Sequence, residues 1–142
     1  MLSPHSQENK GSLLAMLWVF ATFNILFRDI HELTTASALA EISSGYLNGN
    51  PVTEEVLFAG SFGVVLYLLA IPASFALPNR AARILNMIFP VLATIGVYLG
   101  QPSDPDDFVF ATVEIFTFGL IFWIASRWRV TEPMSKNEAS HV

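Results

Sequence analysis

The sequence predicts an all-α integral membrane protein, a four-helix bundle with both termini in the cytoplasm. Of its 142 residues 53% are hydrophobic and only 13% are charged, whereas about 25% of the residues in soluble domains are charged. The apolar residues fall into four blocks, each long enough or nearly long enough to cross a bilayer. Cysteine is absent, which excludes disulfides and thiolate metal sites.

The four apolar blocks predict spans over about residues 12–33, 56–77, 84–100 and 106–128. Together they form one predicted membrane domain over residues 11–130, and the polar segments 1–10 and 131–142 predict disordered cytoplasmic tails. Asp104 suits the N-cap of the fourth span, and Pro105 suits its first helical position. Asn50 or Thr53 is the predicted cap of the second span.

The positive charges lie almost entirely on one side of this topology. The side with both termini carries Lys10, Arg80, Arg83, Arg127, Arg129 and Lys136. The opposite loops carry Glu41, Glu54, Glu55, Asp104, Asp106 and Asp107. The positive-inside rule therefore places both termini in the cytoplasm. Trp128 between two arginines is the predicted aromatic anchor at the inner interface.

The segment "FNILFRDIHEL" places charged residues where the first span ends. The apolar run from Ser12 to Phe27 is 16 residues, or about 24 Å of helix, which is too short for a hydrocarbon core of about 30 Å. The helix is therefore expected to continue to about Leu33. Cleavage as a signal peptide at "ASALA" is not expected, because Arg28, Asp29, His31 and Glu32 separate that segment from the apolar run.

Glu114 is the acidic residue that lies well inside a span. Counted from Phe108 it is about 9 Å below the outer edge of the bilayer, and Arg28 is about 6 Å below the same edge. A charged group at this depth is costly and is expected to face the interior of the bundle. Arg28 is its predicted partner, and Asn24 can form a hydrogen bond with either residue.

The remaining cluster follows from helical spacing. Asn24, Arg28 and His31 lie on one face, and Asp29 is about 100° away, facing solvent or the second span. The predicted polar, partly wet cavity at the outer mouth contains Asn24, Arg28, His31, Glu32, Glu55 and Glu114.

The first outer loop and the small residues give further predictions. "TASALAEISSG" predicts a short surface helix that ends at Gly45, and "YLNGNPV" predicts a small hairpin. Gly96 with Gly100, and Ala59 with Gly63, form small-xxx-small pairs. Such pairs serve either a homo-oligomer or packing within one chain.

Three functional hypotheses follow. The preferred one is binding or transport of a small ligand or proton at the outer cluster. The second is a membrane-embedded enzyme that uses Glu114 and His31 as acid–base groups. The third is a structural accessory subunit, in which the cluster only fixes helix register. His31 is the only histidine expected in the bundle, so no metal or cofactor site is predicted, and no basic patch suggests a nucleic acid.

The segments "LWVFATFNILFRDIHEL", "NGNPVTEEVLF" and "SDPDDFVFATVEIF" resemble an uncharacterised family of small four-helix bacterial membrane proteins. The resemblance spans about residues 14–129. It implies the four-helix topology, a location in the bacterial plasma membrane, and no established activity. It marks as site residues Asn24, Arg28, Asp29, His31, Glu32, Glu55 and Glu114.

Overall fold

The structure, a computed structural model, describes residues 4–47, 49–99 and 105–129. In chain order its elements are α1 (Pro4–Leu33), α2 (Ala36–Ser43), β1 (Tyr46–Leu47), β2 (Asn50–Pro51), α3 (Glu54–Ala76), α4 (Asn79–Leu99) and α5 (Pro105–Ser126). Helices α1, α3, α4 and α5 are each long and apolar enough to cross a membrane. The prediction of an all-α protein with four such helices is therefore confirmed.

Local sequence signals set most helix ends. The Thr53 hydroxyl accepts a hydrogen bond from the Val56 N–H at 3.3 Å, which makes Thr53 the N-cap of α3. Helix α5 begins at Pro105 as predicted, and the cap predicted at Asp104 lies outside the described residues. Helix α1 continues through the charged cluster to Leu33, which confirms the length argument.

Two helix starts differ from the predictions. Helix α1 begins at Pro4, so residues 4–10 are helical rather than a disordered tail, because proline suits a first helical turn. Residues 1–3 and 131–142 of the predicted tails lie outside the described residues. Helix α4 begins at Asn79, five residues before the predicted span, because the polar turn after Pro78 is itself helical: the Pro78 carbonyl accepts from the Ala82 N–H at 3.0 Å.

The outer loop confirms both of its predictions. Helix α2 is capped by Thr35, whose hydroxyl accepts from the Ala38 N–H, and the chain leaves it at Gly45 with φ of 86°. Strands β1 and β2 then pair antiparallel. The Gly49 N–H donates to the Glu41 carboxylate at 2.7 Å, which ties the hairpin turn to α2.

The four long helices pack so that α1 and α4 each contact both α3 and α5. The apolar core contains Leu14, Trp18, Ala70, Phe118, Ile121 and Trp128. Large apolar side chains also point outward: Phe58 is 69% exposed and Phe116 is 74% exposed. An apolar exterior of this extent is typical of helices surrounded by lipid.

A buried polar cluster joins three of these helices. Asn86 of α4 is fully buried and accepts a hydrogen bond from Trp18 Nε1 of α1 at 2.7 Å. Its Nδ2 donates to Ser74 Oγ of α3 at 3.0 Å and to the Ala82 carbonyl at 2.8 Å. Near this cluster α1 and α3 come very close, since a Cβ at Gly11 would lie 2.8 Å from the Ser74 carbonyl oxygen.

The prediction that Trp128 is an interfacial anchor is wrong. Trp128 is only 1% exposed and belongs to the apolar core. It follows the end of α5 and folds back against the helices. Trp123 is the outward-facing residue instead, 54% exposed, with the Arg127 guanidinium 4.0 Å above its ring. This pair has the amphipathic, cation–π character that suits an interface.

Candidate functional site

The predicted ion pair between α1 and α5 is present. Arg28 Nη1 donates to Glu114 Oε2 at 3.1 Å, and Asn24 Nδ2 donates to Glu114 Oε1 at 3.2 Å. The same Asn24 amide lies 3.1 Å from the Phe110 carbonyl oxygen, one turn earlier on α5. Both carboxylate oxygens of Glu114 therefore have a donor from α1, which confirms the pairing inferred from depth.

The two members of the pair differ in their access to solvent. The Glu114 side chain is 0% exposed, whereas the Arg28 side chain is 22% exposed. A carboxylate that is fully buried depends on its protein donors, because water cannot replace them. Asp29, whose side chain is 53% exposed, adds a second carboxylate 3.7 Å from Arg28 Nε. One guanidinium thus lies between a buried and an exposed carboxylate.

His31 belongs to a separate contact. Its Nε2 lies 3.0 Å from Asp106 Oδ2 in the first turn of α5, and both side chains are about half exposed. The ring also lies 6.4 Å from the Phe110 ring. His31 borders an outward-facing groove between α1 and α5 with Asn24 and Phe110, and it does not line the cavity that reaches Glu114.

Glu32 and Glu55 complete the predicted site residues. Glu32 is half-buried near the end of α1, where its carbonyl accepts the Thr35 hydroxyl at 3.0 Å. Glu55 is exposed in the first turn of α3 and does not line the cavity. The structure therefore brings together Asn24, Arg28, Asp29 and Glu114. His31, Glu32 and Glu55, the other three predicted residues, do not line the cavity that reaches Glu114.

A cavity of about 380 Å³ lies beside the Arg28–Glu114 pair, within the range of about 300–1,000 Å³ that is usual for small-ligand pockets. All four long helices contribute to its wall. The lining consists of Trp18, Ile25, Arg28, Gly60, Gly63, Val64, Leu66, Tyr67, Phe89, Leu92, Ala93, Gly96, Val97 and Glu114. The prediction was a polar cavity, but the wall is mainly apolar, with charged groups only at Arg28 and Glu114.

Aromatic packing closes the end of this cavity that lies away from Arg28. Trp18, Tyr67 and Phe118 form a triad in which each pair of ring centroids is 5.8 Å apart. Trp18 and Tyr67 also line the cavity, so their rings form its floor. The Trp18 indole is held in turn by Asn86. The cavity therefore ends near the middle of the helices.

Glycines form the side of the cavity between α3 and α4. A Cβ at Gly60, Gly63 or Gly96 would lie more than 4 Å from any heavy atom outside its own stretch of helix. Two roles were predicted for the small residues, and one of them was packing within the chain. Gly63 and Gly96 do not serve that role, because no other helix approaches them closely. Gly100 lies outside the described residues. Val64 and Leu92 on the two sides of this gap are 51% and 52% exposed.

Sequence reasoning missed the floor of the cavity and its support. Trp18, Tyr67 and Phe118 are ordinary aromatic residues of apolar spans, and nothing in their spacing identifies them. Asn86 offered a usable signal, because an amide inside an apolar span needs a partner in the protein. Its position eight residues into α4 matches an inward-facing polar group rather than an interfacial one.

The match to known families extends well beyond this cluster. The sequence profile of a family described as "Family of unknown function (DUF6326)" matches residues 4–135. The chain belongs to DUF6326. The match covers α1 to α5, and so all the residues of the Arg28–Glu114 cluster and of the cavity. Neither curated proteins nor solved structures show a match to the chain.

Proposed function

We propose that this DUF6326 protein is an integral protein of the bacterial plasma membrane that binds a small molecule in the cavity beside Arg28 and Glu114. The observation that carries the proposal is the cavity itself. A pair that only fixed helix register would be covered by packed side chains, as Asn86 is. Glu114 is as buried as Asn86, but its partner Arg28 is 22% exposed, and both residues line a space of about 380 Å³.

The proposed orientation places both termini in the cytoplasm, and it is supported by the charges in the turns. Arg80 and Arg83 lie in the first turns of α4, whereas Glu54, Glu55, Asp106 and Asp107 lie in the first turns of α3 and α5. The positive-inside rule assigns the arginine end to the cytoplasm. The cavity then lies in the outer half of the membrane.

Binding accounts for this geometry better than catalysis or passage across the membrane. Glu114 is held by Arg28 and Asn24, while His31 contacts Asp106, so the two groups proposed as an acid–base pair belong to different contacts. The floor formed by Trp18 and Tyr67 separates the cavity from the cytoplasmic half of the protein. A binding site needs neither a second catalytic group nor an inner exit.

Native mass spectrometry of the full chain released from nanodiscs tests the proposal. We expect the wild-type protein to carry an additional bound mass. Gly96→Leu is expected to lose it, because the new side chain would occupy open space in the cavity. Gly119→Leu is the matched control, since Gly119 of α5 also faces open space but does not line the cavity.

The same spectra count subunits, which separates ligand binding from assembly. Bound mass that is equal in the wild type and in Gly96→Leu would contradict the proposal. A change of subunit number with no bound small molecule in any variant would also contradict it, and would instead assign the glycine-lined gap to contact between copies of the chain.

A further inference from the structure

We infer that the ligand is an uncharged amphiphile that enters the cavity from the bilayer, through the gap between α3 and α4. This inference rests on the proposed binding function and adds the chemical class of the ligand and its route.

The gap lies at the depth of lipid chains. Gly60 and Gly63 are six and nine residues from the start of α3 at Glu54, which places them about 9 and 14 Å along the helix. A hydrocarbon core about 30 Å thick therefore surrounds this opening. A water-soluble molecule does not reach such a position from the side, whereas a molecule dissolved in the bilayer does.

The edge of the gap consists of small and apolar residues. Gly60 and Gly63 stand on α3 and Gly96 stands on α4, with Val64 and Leu92 exposed beside them. At these three positions the absence of a side chain leaves open space beside α3 and α4, since no neighbouring heavy atom lies within 4 Å of where a Cβ would be. A neighbouring helix, about 10 Å wide, would cover this opening and leave the interior of the cavity empty. A slender apolar chain fills the interior.

The polar end of the cavity favours a head group without net charge. Arg28 supplies one positive charge, and Glu114 and Asp29 supply two carboxylates close to it. An anionic head would add a third acidic group around a single guanidinium, which is unfavourable in a site of low dielectric constant. A cationic head would lie against the Arg28 guanidinium, because both oxygens of Glu114 already accept from α1. A hydroxyl or carbonyl oxygen instead accepts a hydrogen bond from the guanidinium and adds no charge.

The positions of the two ends also orient the ligand. Arg28 is five residues from the end of α1 at Leu33, whereas the Trp18 floor is 15 residues from it. Along the helix axis these distances are about 8 and 23 Å. The polar end of the cavity is thus the end nearer the membrane surface, and the apolar end is near the middle. An amphiphile in the adjacent leaflet already has this orientation.

Spin-label accessibility tests the route. The chain has no cysteine, so Gly63→Cys, Gly119→Cys and Ser37→Cys each give a single labelling site in the full protein. In phosphatidylcholine vesicles, we expect relaxation of the Gly63 label by oxygen to exceed relaxation by a water-soluble nickel chelate, as at the lipid-facing Gly119. The Ser37 label on the surface helix α2 is the aqueous control. A Gly63 label relaxed by nickel as strongly as the Ser37 label would overturn the route.

Photo-crosslinking tests the class of ligand. The probes are a long-chain alcohol and the carboxylate of the same chain length, each with a diazirine at the same carbon. We expect the alcohol to label residues of the cavity about tenfold more than the carboxylate, the ratio that 1.4 kcal/mol produces. Gly63→Leu is expected to reduce labelling by a similar factor, and Gly119→Leu to leave it unchanged. Equal labelling by both probes, or labelling that Gly63→Leu does not reduce, would overturn the assignment.

These outcomes distinguish the inference from the function on which it rests. Nickel access at Gly63, together with a bound water-soluble molecule that Gly96→Leu removes, would overturn the inference and leave the binding function intact. Absence of any cavity-dependent ligand in the mass spectra would overturn both. Thermal unfolding of Gly63→Leu, Gly96→Leu and Gly119→Leu supplies the control for folding, because no neighbouring atom lies within 4 Å of a Cβ at any of the three positions.

Discussion

The Arg28–Glu114 pair gives a quantitative prediction because its members are unequally buried. Replacing Arg28 by glutamine leaves Glu114, which is 0% exposed, without its cationic donor. Replacing Glu114 by glutamine leaves Arg28, whose side chain is 22% exposed and still has Asp29 Oδ1 3.7 Å from its Nε. Arg28→Gln is therefore expected to be the more destabilising of the two single substitutions.

The magnitudes follow from the contacts. Arg28→Gln breaks a charge-assisted hydrogen bond of 3.1 Å and strands a buried carboxylate, which costs about 3–5 kcal/mol. Glu114→Gln keeps the shape of the side chain and loses mainly the charged hydrogen bond, which costs about 1.5–3 kcal/mol. In the double variant no charge is stranded. We expect the double variant to lose about 1.5–3 kcal/mol less unfolding free energy than the two single variants lose in sum.

Equilibrium unfolding in mixed micelles, followed by the fluorescence of the three tryptophans, measures all four proteins. Arg83→Gln combined with Glu114→Gln is the control pair. Arg83 contacts the Ser126 carbonyl, 12 residues and about 18 Å along α5 from Glu114. The losses of unfolding free energy caused by Arg83→Gln and by Glu114→Gln should therefore be additive within about 0.5 kcal/mol. Additive losses for Arg28 and Glu114, or a greater loss for Glu114→Gln than for Arg28→Gln, would refute the reasoning.

Three further predictions concern packing. Asn86→Ala is expected to lower the free energy of unfolding by about 2–4 kcal/mol, because the indole of the floor loses its acceptor and a cavity forms. Gly11→Ala is expected to lower the free energy of unfolding by about 1–3 kcal/mol, since its Cβ would lie 2.8 Å from a backbone oxygen of α3. Gly119→Ala, whose Cβ would lie in open space, should raise it by about 0.5–1 kcal/mol. Trp128→Ala is expected to cost about 3–5 kcal/mol, and the exposed Trp123→Ala less than about 1 kcal/mol.

The same unfolding assay checks these three predictions, and each has its own opposing result. If Asn86→Ala were as stable as the wild type, the result would contradict the claim that Asn86 holds the Trp18 indole at the floor of the cavity. Equal effects of alanine at Gly11 and Gly119 would contradict the close approach of α1 and α3. A larger loss at Trp123 than at Trp128 would contradict the burial of Trp128 in the apolar core.

The heights of residues along the helices were predictable because the rise per residue is constant. Counting residues showed that α1 must continue to Leu33, and the same counting placed Glu114 near the level of Asn24 and Arg28. Helix ends followed from side chains that satisfy free backbone groups, as Thr53 does at α3. These features depend on local geometry and on the cost of burying charge, and both can be calculated from the sequence.

The rotation of α3 about its axis was not predictable, because α3 is apolar on nearly every side and carries no polar stripe that marks an inner face, whereas Arg28 on α1 and Glu114 on α5 marked theirs. For the same reason nothing in the sequence distinguished a glycine that allows helices to touch, such as Gly11, from one that leaves a gap, such as Gly63. Composition and spacing determined a chain with four helices long and apolar enough to cross a membrane, and a charged pair between two of them. The tertiary structure alone decided that the pair borders an apolar cavity, because a cavity exists only in the relative placement of helices that are far apart in sequence.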